Sequence, residues 1–296
     1  MTYGTKSDIV NAALLSSPLW PSILPNFHTL ETNMCVGNNP GEQQFAQWLR
    51  KMAKGLLNDA DDNIIIPDFL LCPSNTLSTL IDYTYPDIST SHDMDYFHER
   101  CILVPRNQET NKINNFILDN FPGTAYHLWA VDEALDPDTG SPAQQTYPSE
   151  VLHTTTPSGF PQAHLRLKIG CPVIVLRNLH SDEALCKGTR GIVTQISTRV
   201  IEVLLHTGDT CMIPHVKLIS TDSQLPFHLQ RHQFPLVLSF TITINKAQGQ
   251  SFTTVGIDLQ VPAFAHGQVY VTFLCGWSYK KVKCLLNEET TPCMKM

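Results

Sequence analysis

The run "LVLSFTI" at 236–242 passes directly into "TINKAQGQSFTTVGIDL" at 243–259. A buried-strand pattern gives way to Lys246, Gln248 and Gln250 around Gly249, then to a Ser/Thr cluster, then to a second apolar run ending on Asp258. Strand, short polar connection and strand together read as part of an α/β layer. An ordinary turn needs a glycine and one or two polar residues. Here Thr241, Thr243, Lys246, Gln248 and Gln250 supply hydroxyl, ammonium and amide donors for phosphate or a base edge, and Gly249 lets the backbone come close. So many donors in one loop point to binding in preference to a plain turn.

Working outward, "ERCILVPRNQETNKIN" at 99–114 has a matching layout. Cys101 to Val104 read as a short continuous strand and Pro105 stops it. Asn107 is placed to cap a helix carrying Ile113, Phe116 and Ile117 as far as Pro122-Gly123. Further upstream, 39–59 reads as a helix, with Phe45, Trp48, Leu49, Met52 and Leu56 at helical spacing, Pro40 in its first turn and Asn58-Asp59 at its end. The stretch from Asp61 to Ile88 mixes apolar runs with prolines and predicts loops and short helices. Residues 133–150 are rich in Pro, Asp, Gly and Ser and mark a boundary. Beyond them come closely spaced short strands, "PVIVLRN", "GIVTQIS", "VIEVLLH" and "TCMIPHVKLI", with "TGD" at 207–209 as a hairpin turn. That spacing predicts a small β-barrel inserted into an α/β layer.

With 296 residues and 42% hydrophobic content, the chain can bury two modest cores. Its apolar runs are too short for a membrane span, and "MTYGTKSDIV" lacks the layout of a signal peptide. Nine cysteines with no C-x-x-C pair and no glycosylation sequon predict reduced thiols in a cytosolic or nuclear setting, without zinc. The net charge of −7 argues against a cationic DNA coat, but a cleft can hold phosphates with amides, hydroxyls and a few local cations.

Nucleotide chemistry has less support in the residues. No G-x-x-x-x-G-K-[ST] cradle occurs, so Asp132 and Glu133 in "HLWAVDEA" read as a solvated strand end and not as a Mg²⁺-holding pair. Asp182 and Glu183 read as a soluble loop, and no G-x-S-x-G elbow is present. In "LRLKIGCPVIVLRNLHSDEALCKGTRGIVTQI" at 165–196, Arg190 beside Thr189 fits either a phosphate contact or a hairpin with a soluble tip. Both readings stay open.

Four stretches together resemble the Pif family of superfamily-one DNA helicases, in particular the helicase part of Helitron-type transposons. They are "IVNAALLSSPLW" with "LETNMCV" (9–36), "ERCILVPRNQETNKIN", the block 152–193, and 225–259. The resemblance implies a RecA-like α/β helicase domain with an inserted small β-barrel. Residues 1–30 would be the tail of a first RecA-like domain, 31–147 and 233–296 the second RecA-like domain, and 148–232 the insert. It makes the opening loop a coupling element between single-stranded DNA and ATP, and it implies ATP with Mg²⁺ as cofactors in the full-length family. The localisation expected is nuclear, with mitochondrial as a family alternative. The first domain, which carries the P-loop and the Mg²⁺-binding acids, is expected upstream of residue 1 or on a separate chain, as about 150–200 further residues. Two positions depart from the pattern: Cys35 and Cys275 stand where arginines that reach the γ-phosphate are expected. The expectation is therefore the C-terminal part of a 5′-to-3′ helicase serving replication, repair, telomere maintenance or transposition, inactive alone. Its alternative is a non-enzymatic single-strand-binding remnant of a decayed transposon.

Overall fold

The computed structural model describes residues 16–18, 39–59, 63–90, 94–143, 147–179, 185–220, 225–265, 267–287 and 293–295. Among these residues the helices, in chain order, are α1 (Pro40–Ala53), α2 (Leu77–Thr84), α3 (Met94–His98), α4 (Asn107–Asn120), α5 (Ser149–Thr154), α6 (Ile244–Ala247) and α7 (Gln268–Leu274). The first strands are β1 (Asn63–Ile65), β2 (Arg100–Val104), β3 (Tyr126–Trp129), β4 (Val131–Leu135) and β5 (His164–Leu167). Then come β6 (Pro172–Val175), β7 (Arg190–Ile196), β8 (Val200–Leu205), β9 (Thr210–Pro214), β10 (Val216–Ile219) and β11 (His228–Gln233). The last are β12 (Leu236–Leu238), β13 (Thr241–Thr243), β14 (Thr254–Leu259), β15 (Val282–Leu286) and β16 (Cys293–Lys295).

The α/β layer is a parallel sheet in the order β13-β2-β14-β15. Its strands are buried on both faces, as parallel sheets require. Along β2 the side chains alternate: Ile102 and Val104 pack with Leu80 and Ile81 of α2 and Ile113 and Ile117 of α4. Cys101 and Leu103 point the other way, toward Phe45, Leu49 and Met52 of α1 and Phe273 of α7. On β14, a side chain at Gly256 would sit 2.4 Å from the Thr84 hydroxyl, so glycine is what lets α2 lie on the sheet.

Helix α1 begins as the pattern predicts, with the Asn39 side chain accepting from the Gly41 N–H at 3.0 Å and Pro40 in the first turn. It ends at Ala53, earlier than Asn58-Asp59, and Leu56 lies beyond it, 68% exposed. The segment expected to hold only loops and short helices contains a strand, β1, paired antiparallel with β16. The cap residue of α4 is Arg106, whose side chain makes no capping bond, and Asn107 is the first helical residue. Phe116 on that helix is 48% exposed, so Ile113 and Ile117 carry its packing.

Between the parallel strands lies an antiparallel sheet in the order β12-β6-β7-β8-β9. Two smaller antiparallel sheets accompany it, β10-β11-β4 and β3-β5. The five-strand order is open, with β12 and β9 at its edges, so the described strands do not close into one hydrogen-bonded barrel. Strands β4 and β12 lie outside 148–232, yet they pair with β11 and β6 inside it.

The opening stretch decides how the layers join. "LVLSFTI" reads as one strand in sequence, but the structure splits it at Ser239-Phe240. Its first half, β12, pairs antiparallel with β6 of the insert; its second half, β13, pairs parallel with β2. Asn114 of α4 spans the break, donating to the Leu238 and Thr241 carbonyls at 3.0 and 3.1 Å and accepting from the Thr241 N–H at 2.8 Å. The Tyr85 hydroxyl donates to the Phe240 carbonyl at 2.5 Å. The break is thus held by hydrogen bonds from two helices' neighbourhoods and is not a loose joint.

Candidate nucleic-acid interface

Strand β13 ends where α6 begins, at the C-terminal edge of the parallel sheet, the edge at which α/β sheets bind ligands. Ile244 and Ala247 turn into the core, which leaves Asn245 and Lys246 on the surface. Gly249 has φ +83° and, among the described residues, nothing within 4 Å of where a Cβ would stand. Its left-handed turn by itself calls for glycine, and the open space beside it leaves the backbone accessible, as the close approach expected from sequence requires. Gln248 is exposed, and the Gln250 amide donates back to the Lys246 carbonyl at 3.2 Å.

A cleft of about 370 Å³ opens beside this turn, between the parallel sheet and the insert. Its floor is apolar, from Ile174, Leu176, Val237 and Ile242. Its rim is polar: Asn107, Gln108 and Asn111 from the first turns of α4, Thr154 and Thr156 at the exit of α5, and Lys246. Thr241 also lines it, fully buried, and its hydroxyl finds no hydrogen-bond partner among the described residues. Lys246 reaches solvent, yet its ammonium is pushed below the ordinary lysine value, first by desolvation against the cleft wall and then by the charge of Lys187. A strip of neutral donors with two neighbouring cations suits a chain of phosphates better than a single small anion.

The structure does not gather all the predicted residues here. Thr241 and Lys246 line the cleft; Thr243 is buried at the start of α6; Gln248 and Gly249 project beyond it. Arg190 and Gln250 line a second hollow of about 340 Å³ with His98, His206 and Phe252. Arg190 is neither a free phosphate contact nor part of a soluble tip. Its guanidinium lies 5.3 Å over the Phe252 ring and donates to the carbonyls of His98, Arg100 and Ser239 at 3.4, 3.3 and 3.1 Å. It clamps the insert's β7 to β2 and to the break after β12. His98 stacks on His206 at 3.9 Å, and its pKa is lowered by burial, then by His206 and Arg190.

Cys275 caps the end of α7, 3% exposed, with its thiol near the Val271 and Ala247 carbonyls at 3.2 and 3.6 Å. Burial pushes this thiol up to about 12, so it is neutral at physiological pH. Cys35, Asp182 and Glu183 lie outside the described residues. The reading of Asp132 as solvated is overturned: its side chain is 1% exposed and forms a two-pronged ion pair with Arg231, at 2.8 and 2.6 Å. Glu133 does sit at the surface, accepting from Gln230. The amides of α4 went unnoticed as a binding feature, although "RNQETN" carries them in plain view.

Residues 150–196, which cover α5 to β7, match the domain family described as DNA helicase Pif1, 2B domain. The chain is similar to Pif1 helicases over this segment and in its fold. It is 30% identical over 128 residues to the ATP-dependent DNA helicase Pif1 of Bdellovibrio bacteriovorus, covering 40% of this chain and 29% of that one. It is 28% identical over 159 residues to the human ATP-dependent DNA helicase PIF1, covering 52% of this chain and 22% of the relative. The chain thus spans less than a third of the length of these relatives. Among solved structures it is similar to the Pif1 helicase from Candida albicans, with a TM-score of 0.57 at 20% identity over 94% of this chain and 60% of that one. A Bacteroides Pif1 helicase in complex with ADP-AlF3 and ssDNA matches with a TM-score of 0.51 at 20% identity, over 86% and 50% of the two chains. At these identities the likeness bears on the fold, which is RecA-like α/β.

Proposed function

We infer that this chain supplies the single-strand-holding surface of an ATP-dependent, 5′-to-3′ DNA helicase. The observation that carries the reading is the cleft at the C-terminal edge of the parallel sheet. Lys246 and the α4 amides line its rim, and Thr241, whose buried hydroxyl has no partner among the described residues, is among its lining residues. The neutral donors would hold successive phosphates, Lys246 would neutralise one, and the apolar floor would accept the sugar or base side of the strand. Residues 148–232 would act as an inserted unit whose position shapes one wall.

ATP and Mg²⁺ belong to the family's chemistry, and these residues do not fit a catalytic role toward them. The sequence holds no phosphate cradle of the P-loop type, and the buried Cys275 thiol is neutral where the resemblance expects an arginine. Hydrolysis in this reading depends on a further helicase domain, and the setting is nuclear or mitochondrial DNA maintenance or transposition. The neutral Cys275 also favours a second reading, a non-hydrolysing single-strand-binding module.

Binding of a labelled dT oligomer across a salt series tests the interface. Lys246→Ala should lower the slope of log K against log salt by about 0.7, the value for one single-strand phosphate contact. Gln248→Ala should leave that slope unchanged, because an amide releases no counterion. A wild-type slope in folded Lys246→Ala would reduce the loop to a turn. DNA-stimulated phosphate release by the chain would reject the non-hydrolysing module.

A further inference from the structure

The outer face of the β3–β5 ribbon carries a ladder of aromatic and cationic side chains. The register sets Trp129 opposite His164 and His127 opposite Arg166, and strand alternation puts all four on one face. The Trp129 and His164 rings are stacked, 4.1 Å apart with 2° between their planes. His127 Nδ1 lies 2.9 Å from His164 Nε2, so one ring donates and the other accepts. Arg166 adds a cation, steadied by Asp119. Trp129 remains 59% exposed although one of its faces is covered. A tryptophan that served the core would bury its indole. This one is held flat at the surface by a ring that is itself held.

The ladder begins where the cleft ends. His153, whose ring is 5.9 Å from Trp129, precedes Thr154 of the cleft rim, and Gln162 of the cleft lies two residues before His164. A strand leaving the cleft along α5 therefore meets Trp129 next. A flat exposed aromatic beside an arginine, continuous with a phosphate-binding rim, is the combination that receives unpaired bases regardless of sequence. We propose that Trp129 is a stacking platform for an unpaired base of the emerging strand, with His164 as its backing and Arg166 as the adjacent cation. The proposal rests on the single-strand reading of the cleft.

The test compares labelled dT oligomers of about 5 and about 16 nucleotides on the full chain, the shorter sized for the cleft alone. Trp129→Ala should weaken the longer oligomer about tenfold, within the range for one base–aromatic stack. It should leave the shorter oligomer and the salt slope unchanged, and Trp129→Phe should recover most of the loss. The longer oligomer should also quench intrinsic fluorescence in the wild type by a component absent from Trp129→Ala. Wild-type binding of both oligomers by Trp129→Ala, with Lys246→Ala still impaired, would overturn the platform and leave the cleft standing. Equal loss of both oligomers in Trp129→Ala would make the residue a scaffold and overturn the platform as well. Failure of the wild-type chain to bind either oligomer would overturn the cleft reading and the platform together.

Discussion

Replacing Asp132 by asparagine removes one charge from the interior while keeping the shape of the side chain, and its consequence can be worked from the contacts of Arg231. The two side chains are 1% and 0% exposed. Besides the paired oxygens of Asp132, the guanidinium donates to the carbonyls of Pro161, Leu152 and Thr155 at 2.9, 3.0 and 3.0 Å. The neutral amide would leave a full positive charge buried among uncharged acceptors, a change that costs about 3–5 kcal/mol. Arg231→Met should cost at least as much, because it strands the carboxylate and deprives three carbonyls of their donor, at about 1 kcal/mol each. With about 2–4 °C of Tm per kcal/mol in a domain of this size, either variant should melt roughly 6–20 °C below the wild type. The double variant Asp132→Leu/Arg231→Met should fall less than either single one, since no uncompensated charge remains.

Far-UV circular dichroism melts of the full chain provide the assay, joined to dT binding well below the transition. The Leu152 and Thr155 carbonyls flank Thr154 of the cleft rim, so the single variants should weaken dT binding without changing its salt slope. A Tm for Asp132→Asn within about 2–4 °C of the wild type, equivalent to about 1 kcal/mol, would show that water reaches the pair, and the reasoning from burial would fail.

Two further outcomes follow from buried groups elsewhere. Thr241→Val replaces a buried hydroxyl, unpartnered among the described residues, by a methyl group, so it should leave the melt unchanged or raised while weakening dT binding; a loss above about 1 kcal/mol would reveal a partner for that hydroxyl. Burial holds Cys101 at about 11, and Cys171 and Cys275 at about 12, against the ordinary 9.0. The unfolded chain therefore releases these protons first: stability is intact below pH 9 and should fall as pH rises from 9 toward 12. Denaturant titrations at about pH 8 and about pH 10.5 check the sign, and equal stability at both would refute it.

What the sequence made legible follows the range of the interactions involved. The core of α1, the strand β2 and the polar turn after β13 are readable because each rests on local periodicity, a nearby proline or a capping side chain. Arg190 stayed open and Asp132 was misread because their surroundings come from far along the chain: Arg190 meets carbonyls at 98, 100 and 239, and Asp132 meets an arginine at 231. No local pattern separates a buried charge from a solvated one when its partner lies that far away. The split of "LVLSFTI" is the same case, since its two halves have like composition and differ only in whether β6 or β2 lies alongside. That split also makes the cleft. The cleft lining takes Val237 and Leu238 from one side of the break and Thr241 and Ile242 from the other, so any movement of the insert against the parallel sheet must reshape it. Asn114 and Arg190, which both bond to backbone at the break, are therefore the side chains through which such a movement would be resisted or passed on.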